Sequence, residues 1–513
     1  MEGGTEEQSA SLGGSASTIL VGIVVGSALA LVAETYLARS LAPDLYGTVA
    51  LAYTVVYAVG MLLGNGIGDA VTRTLNDRAA GADGEVVGSG LVIASGVGGL
   101  VVAGGYLGRH QVAAILGDPA LANFVPWLLP FGLLYPLGEV AYGAIRADTD
   151  SRAAVLVRHF APRVLGIGVL GATVAVGAEL LGAAAYWLSY PAGILIFGAG
   201  YLGFRQRDRS GPIVSVPAGE SLRTVWGQAW PLAASASLFL FLSTLDVLMI
   251  GVFATSTEVG YYRAIQPLRQ STTFVLSAFS FAFLPLATRQ FSESRIDNLG
   301  ELFTSSTKWI VTATLPLALI FVCYADSIVR LLLGPAYSPA APALAVLTGG
   351  LFVRALTGLD GDTVKAIDRP RVELWAAAVG VLVDVLVNLW AIPRFGIVGA
   401  AIGTAVGYAV YNGLEVAAIY RAVGIHPFSR ATTWIVLFTG VTALGVRTLT
   451  GSADGVVTVA FAGCVVGLSA VVSLLLAGDL SPVERRAFRQ LEQRTGIKLL
   501  WLVRNQTADS PTS

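Results

Sequence analysis

Charge is what this chain has least of. Only 13% of its 513 residues are Asp, Glu, Lys or Arg, where a soluble globular chain carries about 25%. With 55% hydrophobic residues and a mean hydropathy of +0.71, that excludes an ordinary soluble domain. Apolar runs long enough to span a bilayer recur along the whole chain, so an all-α polytopic membrane protein is expected. The net charge is −1, from 32 basic and 33 acidic residues, so no strong field points to nucleic acid. Cysteine is nearly absent. Cys323 and Cys464 fall in separate apolar segments, which excludes a disulfide framework or a thiolate metal site. His110, His159 and His426 are scattered and form no ligand cluster. Long loops are also lacking, and with them the paired acids or His-bearing motif that an interfacial enzyme needs, so an enzyme is not expected. The first sixteen residues carry Glu2, Glu6 and Glu7 and no Lys or Arg. They read as a cytoplasmic N-terminus rather than a cleavable signal, and the first apolar segment is expected to be retained.

What is present is about fourteen apolar spans. Six (17–38, 45–64, 85–107, 123–145, 154–176 and 180–204) form a first half, 17–204, ahead of a polar linker, 205–223. Six more (224–253, 268–288, 307–333, 340–358, 374–392 and 397–420) form a second half, 224–420. The last two, 430–449 and 456–476, lie in a third segment, 421–477. In the remaining 478–513, Ser481, Pro482 and Glu484 begin an amphipathic helix suited to an anionic leaflet, followed by a tail. With the N-terminus inside, cytoplasmic segments hold 24 of the 32 basic residues, which sets both termini in the cytoplasm. Prolines 126, 130 and 136 mark kinks in the fourth span, and steps such as Gly399 to Gly403 favour close helix packing.

The two halves echo each other. Leu45-Tyr46-Gly47 follows the first span as Glu258-Val259-Gly260 follows the seventh, 213 residues later. The basic turn AIRADTDSRAAVLVR after the fourth span matches KAIDRPRVELWA after the tenth. Parallel repeats of this kind occur in transporters, with the substrate site between them.

Ionisable residues at membrane depth cost roughly 3 kcal/mol each on insertion scales, so they mark candidate sites. Asp246 lies in the seventh span. Asp384 and Asn388, four apart, share a helix face in the eleventh, and Thr404 follows in the twelfth. These hard oxygen donors suit a small cation such as sodium; they equally suit a hydrogen-bonded cluster with a protonated Asp. Glu34 is the counterpart of Asp246 in the first half and suits proton coupling or pairing with an Arg. Arg39, Arg73, Arg263, Arg269 and Arg354 suit an anionic headgroup, because arginine binds phosphate bidentately and stays charged in a low dielectric. Snorkelling to lipid headgroups is the simpler role for each. Glu139 with Tyr135 and Tyr142, and Glu415 with Tyr408 and Tyr411, are further polar patches.

Four stretches together resemble the polysaccharide and O-antigen flippases: ARSLAPDLYG (38–47), DVLMIGVFATSTEVGYY (246–262), LLLGPAYSPAAPAL (331–344) and DVLVNLWAIPRFGIVGAAIGTAVGY (384–408). The resemblance implies the multidrug/oligosaccharidyl-lipid/polysaccharide exporter superfamily, with two six-helix lobes around a central cavity and two further C-terminal helices. It implies a carrier in the cell membrane that flips a polyprenyl-linked mono- or oligosaccharide outward by alternating access. Lipid-linked sugar, membrane lipids and glycan assembly enzymes are then the partners, with no cofactor beyond a coupling Na+ or H+. The related lipid II flippases hold sodium with an Asp, an Asn/Asp pair and a Thr; here that pair runs Asp384 then Asn388, the reverse order. A cation-coupled multidrug exporter of the same superfamily is the alternative.

Overall fold

A computed structural model describes residues 25–77, 83–148, 151–208, 212–451 and 455–477. The amphipathic segment expected from Ser481 and the first sixteen residues lie outside the described residues. Among the described residues every regular element is helical. In chain order these are α1 (described over 25–40), α2 (Pro43–Asp77), α3 (Asp83–Ile115), α4 (Leu121–Leu128), α5 (Pro130–Ala147) and α6 (Ser151–Val155). There follow α7 (Ala161–Ala175), α8 (Glu179–Arg205), α9 (Gly219–Phe253), α10 (Ser256–Ser271), α11 (Phe274–Ser292), α12 (Ile296–Cys323) and α13 (Ala325–Leu332). The last are α14 (Ala341–Thr357), α15 (Asp360–Ala366), α16 (Pro370–Phe395), α17 (Ile397–Val423), α18 (Arg430–Thr450) and α19 (Val456–Leu476).

Among the described residues eleven helices, or twelve counting the bent pair within α11, are long and apolar enough to cross a membrane. The fourteen expected spans also include 17–38, described only from residue 25, and 224–253, which falls on α9. Four spans are interrupted, the ninth at Tyr324 between α12 and α13. The fourth breaks at Leu129, where Pro130 opens α5. The fifth contains a π-helical turn, Leu156–Phe160, which precedes the missing N–H of Pro162. The eighth was expected from residue 268, but its helix starts at Ser256 and breaks at Thr272 and Thr273.

The chain forms two compact units. The first comprises Met1–Leu268, Leu332–Ala340 and Val381–Thr404; the second comprises Arg269–Leu331, Ala341–Gly380 and Ala405–Ser513. In the first unit α2 packs against α3, α5 and α9. Small residues allow the backbones to touch. A side chain on Gly66 would overlap the Ala229 carbonyl of α9, and Gly68 and Gly143 bring α2 and α5 together in the same way. Thr72 Oγ1 then reaches across to the Gly143 carbonyl at 2.9 Å. Ile67, Val71, Val86, Val140, Ile145 and Ile194 fill the core between these helices.

The linker 205–223 is partly strapped down. Ser215 N donates to the Gly84 carbonyl at 2.9 Å, Ile213 is buried in the core, and a side chain on Gly88 would overlap the Ser215 carbonyl. Gly88→Val is therefore expected to lift the strap, at a cost of about 1–3 kcal/mol for overpacking. Limited proteolysis should then cut within 205–223 several times faster than in the wild type; an unchanged rate would show that the strap does not depend on this glycine.

In the second unit α12 packs against α14, α18 and α19, around Val311, Leu315, Ile435 and Leu474. A second cluster gathers Phe283, Leu299, Phe303, Ile310 and Ile419. Ser429 caps α18 by accepting from Thr432 N at 3.0 Å, as serine before a first helical turn does. Large apolar side chains such as Leu100, Val176, Trp375, Leu386, Val441 and Leu449 point outward from the protein. In water they would form an aggregation-prone surface; in a bilayer they are the lipid-facing surface.

Candidate functional site

The clearest polar cluster is built by the turn between α16 and α17, in the part of each that belongs to the first unit. Gly396 closes α16 with φ 54°, a left-handed conformation that glycine adopts without strain. Gly399 lies against the Ala391 backbone, and Gly403 leaves the room that the Asn388 side chain fills. The three glycines thus hold Thr404 and Asn388 on facing turns. Asn388 Nδ2 donates to Asp384 Oδ1 at 3.1 Å. Thr404 Oγ1 donates to Asp246 Oδ2 at 3.4 Å, and Tyr262 Oη donates to the same oxygen at 2.6 Å. Asp246 Oδ1 accepts from Val247 N at 2.8 Å. Asp384 is within electrostatic reach of Asp246. All five side chains are buried, and Asn388 Oδ1 has no hydrogen-bond partner. A buried amide oxygen facing no donor is costly.

The echo seen in the sequence becomes a contact. A side chain on Gly47 would overlap the Ser256 carbonyl, and one on Gly260 would overlap the Pro43 carbonyl. Pro43 and Ser256 are themselves matching positions, 213 apart, so the first turns of α2 and α10 meet reciprocally through equivalent residues. Asp118 fastens the crossing. Its Oδ2 accepts from Thr48 of α2 at 2.7 Å and from Ser256 of α10 at 2.5 Å. Tyr337 adds a hydrogen bond to the Leu41 carbonyl at 3.2 Å.

This crossing places Arg263 of α10 in a layer of aromatic rings. Its guanidinium lies 5.6 Å from the Tyr53 ring centre, Tyr53 stacks on Trp187 at 4.7 Å, and the buried Nε has no partner. Glu34 lies in the same layer. Its Oε1 accepts from Trp187 Nε1 at 3.0 Å and its Oε2 from Tyr46 Oη at 3.4 Å. Glu139, by contrast, is committed to Arg158 of the π-helical turn in an ion pair at 2.7 Å, with Arg158 also over the Tyr142 ring at 4.5 Å.

The remaining arginines are placed differently. Arg39 and Arg73 are exposed. Arg269 and Arg354 belong to the second unit. Arg269 has a buried Nε and Nη1 without partners. Arg354 lies 5.7 Å from the Tyr408 ring and within electrostatic reach of Asp360. Asp360 and Glu415 are buried there with oxygens that lack partners.

The model of the polysaccharide biosynthesis protein family matches residues 12–289, more than half of the chain. The chain belongs to the polysaccharide biosynthesis protein family. A second model, MatE, matches residues 231–390 of this family member. Among curated proteins, the probable low-salt glycan biosynthesis flippase Agl15 of Haloferax volcanii is 25% identical over 33% of this chain and 36% of its own length. The probable flippase AglR of the same organism is 25% identical over 36% of this chain and 39% of its own. An uncharacterized membrane protein of Methanocaldococcus jannaschii, MJ1068, is 26% identical over 33% of this chain and 34% of its own. The chain thus spans about a third of the length of the curated relatives it matches.

Solved structures establish the fold of this member. The lipid II flippase MurJ, in an inward closed conformation, superposes with a TM-score of 0.70 at 12% identity, covering 88% of this chain and 97% of MurJ. An inward-facing multidrug resistance MATE transporter of the MOP superfamily gives 0.63 at 16%, covering 79% and 97%. The family member is therefore a multi-pass helical membrane protein with the fold shared by these transporters.

Two groups of site residues escaped the sequence. Tyr262 belongs to a quoted signature, yet its hydrogen bond to Asp246 depends on α10 folding back beside α9. Nothing in the sequence singles out Trp187 or Tyr53; only their contacts with Glu34 and Arg263 mark them as site residues.

Proposed function

We propose that this chain carries a polyprenyl-linked mono- or oligosaccharide from the cytoplasmic to the outer leaflet of the cell membrane, by alternating access. The supporting observation is Arg263, whose guanidinium Nε is buried and unpartnered, in a member of the polysaccharide biosynthesis protein family. A lipid-linked sugar carries its charge on phosphate, and arginine is the side chain that meets phosphate in a low dielectric without losing its own charge. Two curated relatives are named as probable flippases, one of them for glycan biosynthesis. On this reading the protein is a carrier and not an enzyme, both termini are cytoplasmic, and its partners are the enzymes that build and consume the lipid-linked glycan.

Coupling is assigned to the buried cluster. Asp246, Asp384, Asn388 and Thr404 would hold a sodium ion, which supplies a positive charge that offsets the two carboxylates. Asp246→Asn is expected to leave transport in proteoliposomes at the same rate with or without a sodium gradient; a retained sodium response would remove the assignment.

The function itself is tested by disrupting the gene and analysing glycans by mass spectrometry. Lipid-linked sugar should accumulate while the surface glycan that needs it disappears. The MatE match at 231–390 keeps a cation-coupled drug exporter as the rival, and unchanged glycans with new sensitivity to cationic compounds would establish it instead.

A further inference from the structure

The second unit holds a polar cluster of its own. Tyr408, Tyr411 and Glu415 follow at steps of three and four along α17, as do Tyr408, Asn412 and Glu415 at four and three, so all lie towards one face. α16 closes on that face, where a side chain on Gly380 would overlap Cβ of Tyr411. After α14 ends at Thr357, Gly358 turns the chain with φ 71° and Asp360 opens α15 beside α17. A Cβ on Gly361 would stand 3.5 and 3.7 Å from the two Glu415 carboxylate oxygens and 3.7 Å from Tyr411 Oη. Gly361 N donates to Asp360 Oδ1 at 3.0 Å. One glycine thus stands next to both carboxylates, which are within electrostatic reach of each other.

The cluster is short of donors and of positive charge. Asp360 is 4% exposed and Glu415 0%. Asp360 Oδ2, both Glu415 oxygens and Asn412 Oδ1 have no hydrogen-bond partner. Tyr411 reaches the Glu415 carboxyl without a hydrogen bond of normal geometry. Among the charged groups nearby, Arg354 is within electrostatic reach of Asp360, while Lys365 is committed to Glu373 at 2.9 Å. Asp362 is held by Ser280 and lies 3.9 Å from Lys365. Arg354 is therefore left against two carboxylates, and one negative charge stays uncompensated. A buried charge in that state costs several kcal/mol unless a counter-charge joins it. Full burial limits that counter-charge to an ion, and carboxylate oxygens suit a hard one. We propose that Asp360 and Glu415 bind one small monovalent cation, a proton or a sodium ion, at a site in the second unit distinct from the Asp246 cluster. The site does not depend on what is carried. Its failure would leave the flippase reading untouched, and failure of that reading would leave the site.

The test is labelling of the purified full-length protein with dicyclohexylcarbodiimide, which modifies protonated carboxyls in apolar surroundings and spares ionised ones. Peptide mass spectrometry locates the product. In choline chloride at mildly acidic pH, Asp360 or Glu415 should be modified, while Asp362 and Glu373, the partners of Lys365, are spared. An equal rate in sodium chloride, falling at alkaline pH, identifies the cation as a proton. A rate slowed about tenfold or more by saturating sodium identifies it as sodium, by competition for the same carboxyls. Glu415→Gln keeps the shape without the charge and gives an independent reading, made in an Asp246→Asn background so that the other cluster adds no sodium response. The shift in thermal unfolding midpoint between acidic and alkaline pH, or on adding sodium, should change by about 3 °C or more when Glu415 is replaced. Asp360→Asn serves in its place if Glu415→Gln does not fold. If labelling is absent, or spreads equally to Asp362 and Glu373, and the variant keeps both shifts of its parent, the cation site is overturned.

Discussion

Flipping by an Arg263→Gln variant should fall about a hundredfold, to near background, while the protein still inserts and folds. The size follows from the ~3 kcal/mol reached by hydrogen bonds between charged partners in a desolvated site. Glutamine keeps most of the side-chain volume over the Tyr53 ring, so packing changes little. Three consequences combine: the phosphate loses its cation, the ring loses a cation–π contact worth about 1–2 kcal/mol when desolvated, and Glu34 loses its nearest compensation. The measurement is reduction of a fluorescent short-chain lipid-linked sugar by an impermeant reagent outside proteoliposomes. A rate within threefold of wild type would show that the headgroup passes without Arg263. Arg39→Gln and Arg73→Gln are the controls. Both side chains are exposed, so they should change the rate little.

Gly260→Val is the second large effect. The new side chain would overlap the Pro43 carbonyl and stand within contact of Gly47 N, and neither backbone can move without displacing the first turn of a long helix. Overpacking of this kind costs about 1–3 kcal/mol. An equilibrium between an arrangement with α2 and α10 in contact and one with them apart would shift by about five- to 150-fold. Under the proposed topology the contact lies on the outer side. The reporter is Thr48→Cys in a background free of Cys323 and Cys464, probed with an impermeant maleimide from outside. Labelling should rise sharply in the Gly260→Val background, and Gly47→Val should behave alike because the contact is reciprocal. If labelling stays at the wild-type level in both, the two helices do not separate there. Asp118→Asn should give a smaller rise, since an amide keeps one acceptor oxygen where Asp118 uses Oδ2 for both hydroxyls and Oδ1 for Ala120 N.

The membrane-spanning architecture was legible in the sequence because it is imposed by the solvent. Hydrocarbon demands long apolar runs and internally satisfied backbones, and both leave marks that composition alone reveals. The four residues of the buried cluster were legible for a narrower reason. Asp384 and Asn388 are fixed relative to each other by one helical turn. Pro393 stands in the last turn of α16 and Gly396 reverses the chain just beyond it, so that Thr404 returns to face them. The rest of the candidate site was hidden because it depends on distant packing. Arg158 and Arg163 sit on a segment whose π-helical turn leaves no periodic trace, and only the fold pairs the first with Glu139 and sets the second over Tyr190. Trp187 and Tyr46 have the composition of ordinary membrane anchors, and their role appears only where both donate to Glu34. Arg39 and Arg73 show the converse. Their residue type suits a headgroup, and both are exposed where Arg263 has a buried Nε.

The reciprocal meeting of Gly47 with Ser256 and of Gly260 with Pro43 has the form of a contact between two copies of one molecule. A patch that is complementary to itself needs only one sequence, since each copy presents the same glycine and receives the same carbonyl. Within this one chain each side can change alone. Asp118 bonds Ser256 through a hydroxyl that Pro43, at the matching position, does not have, so the two sides of the joint share a shape and carry different chemistry.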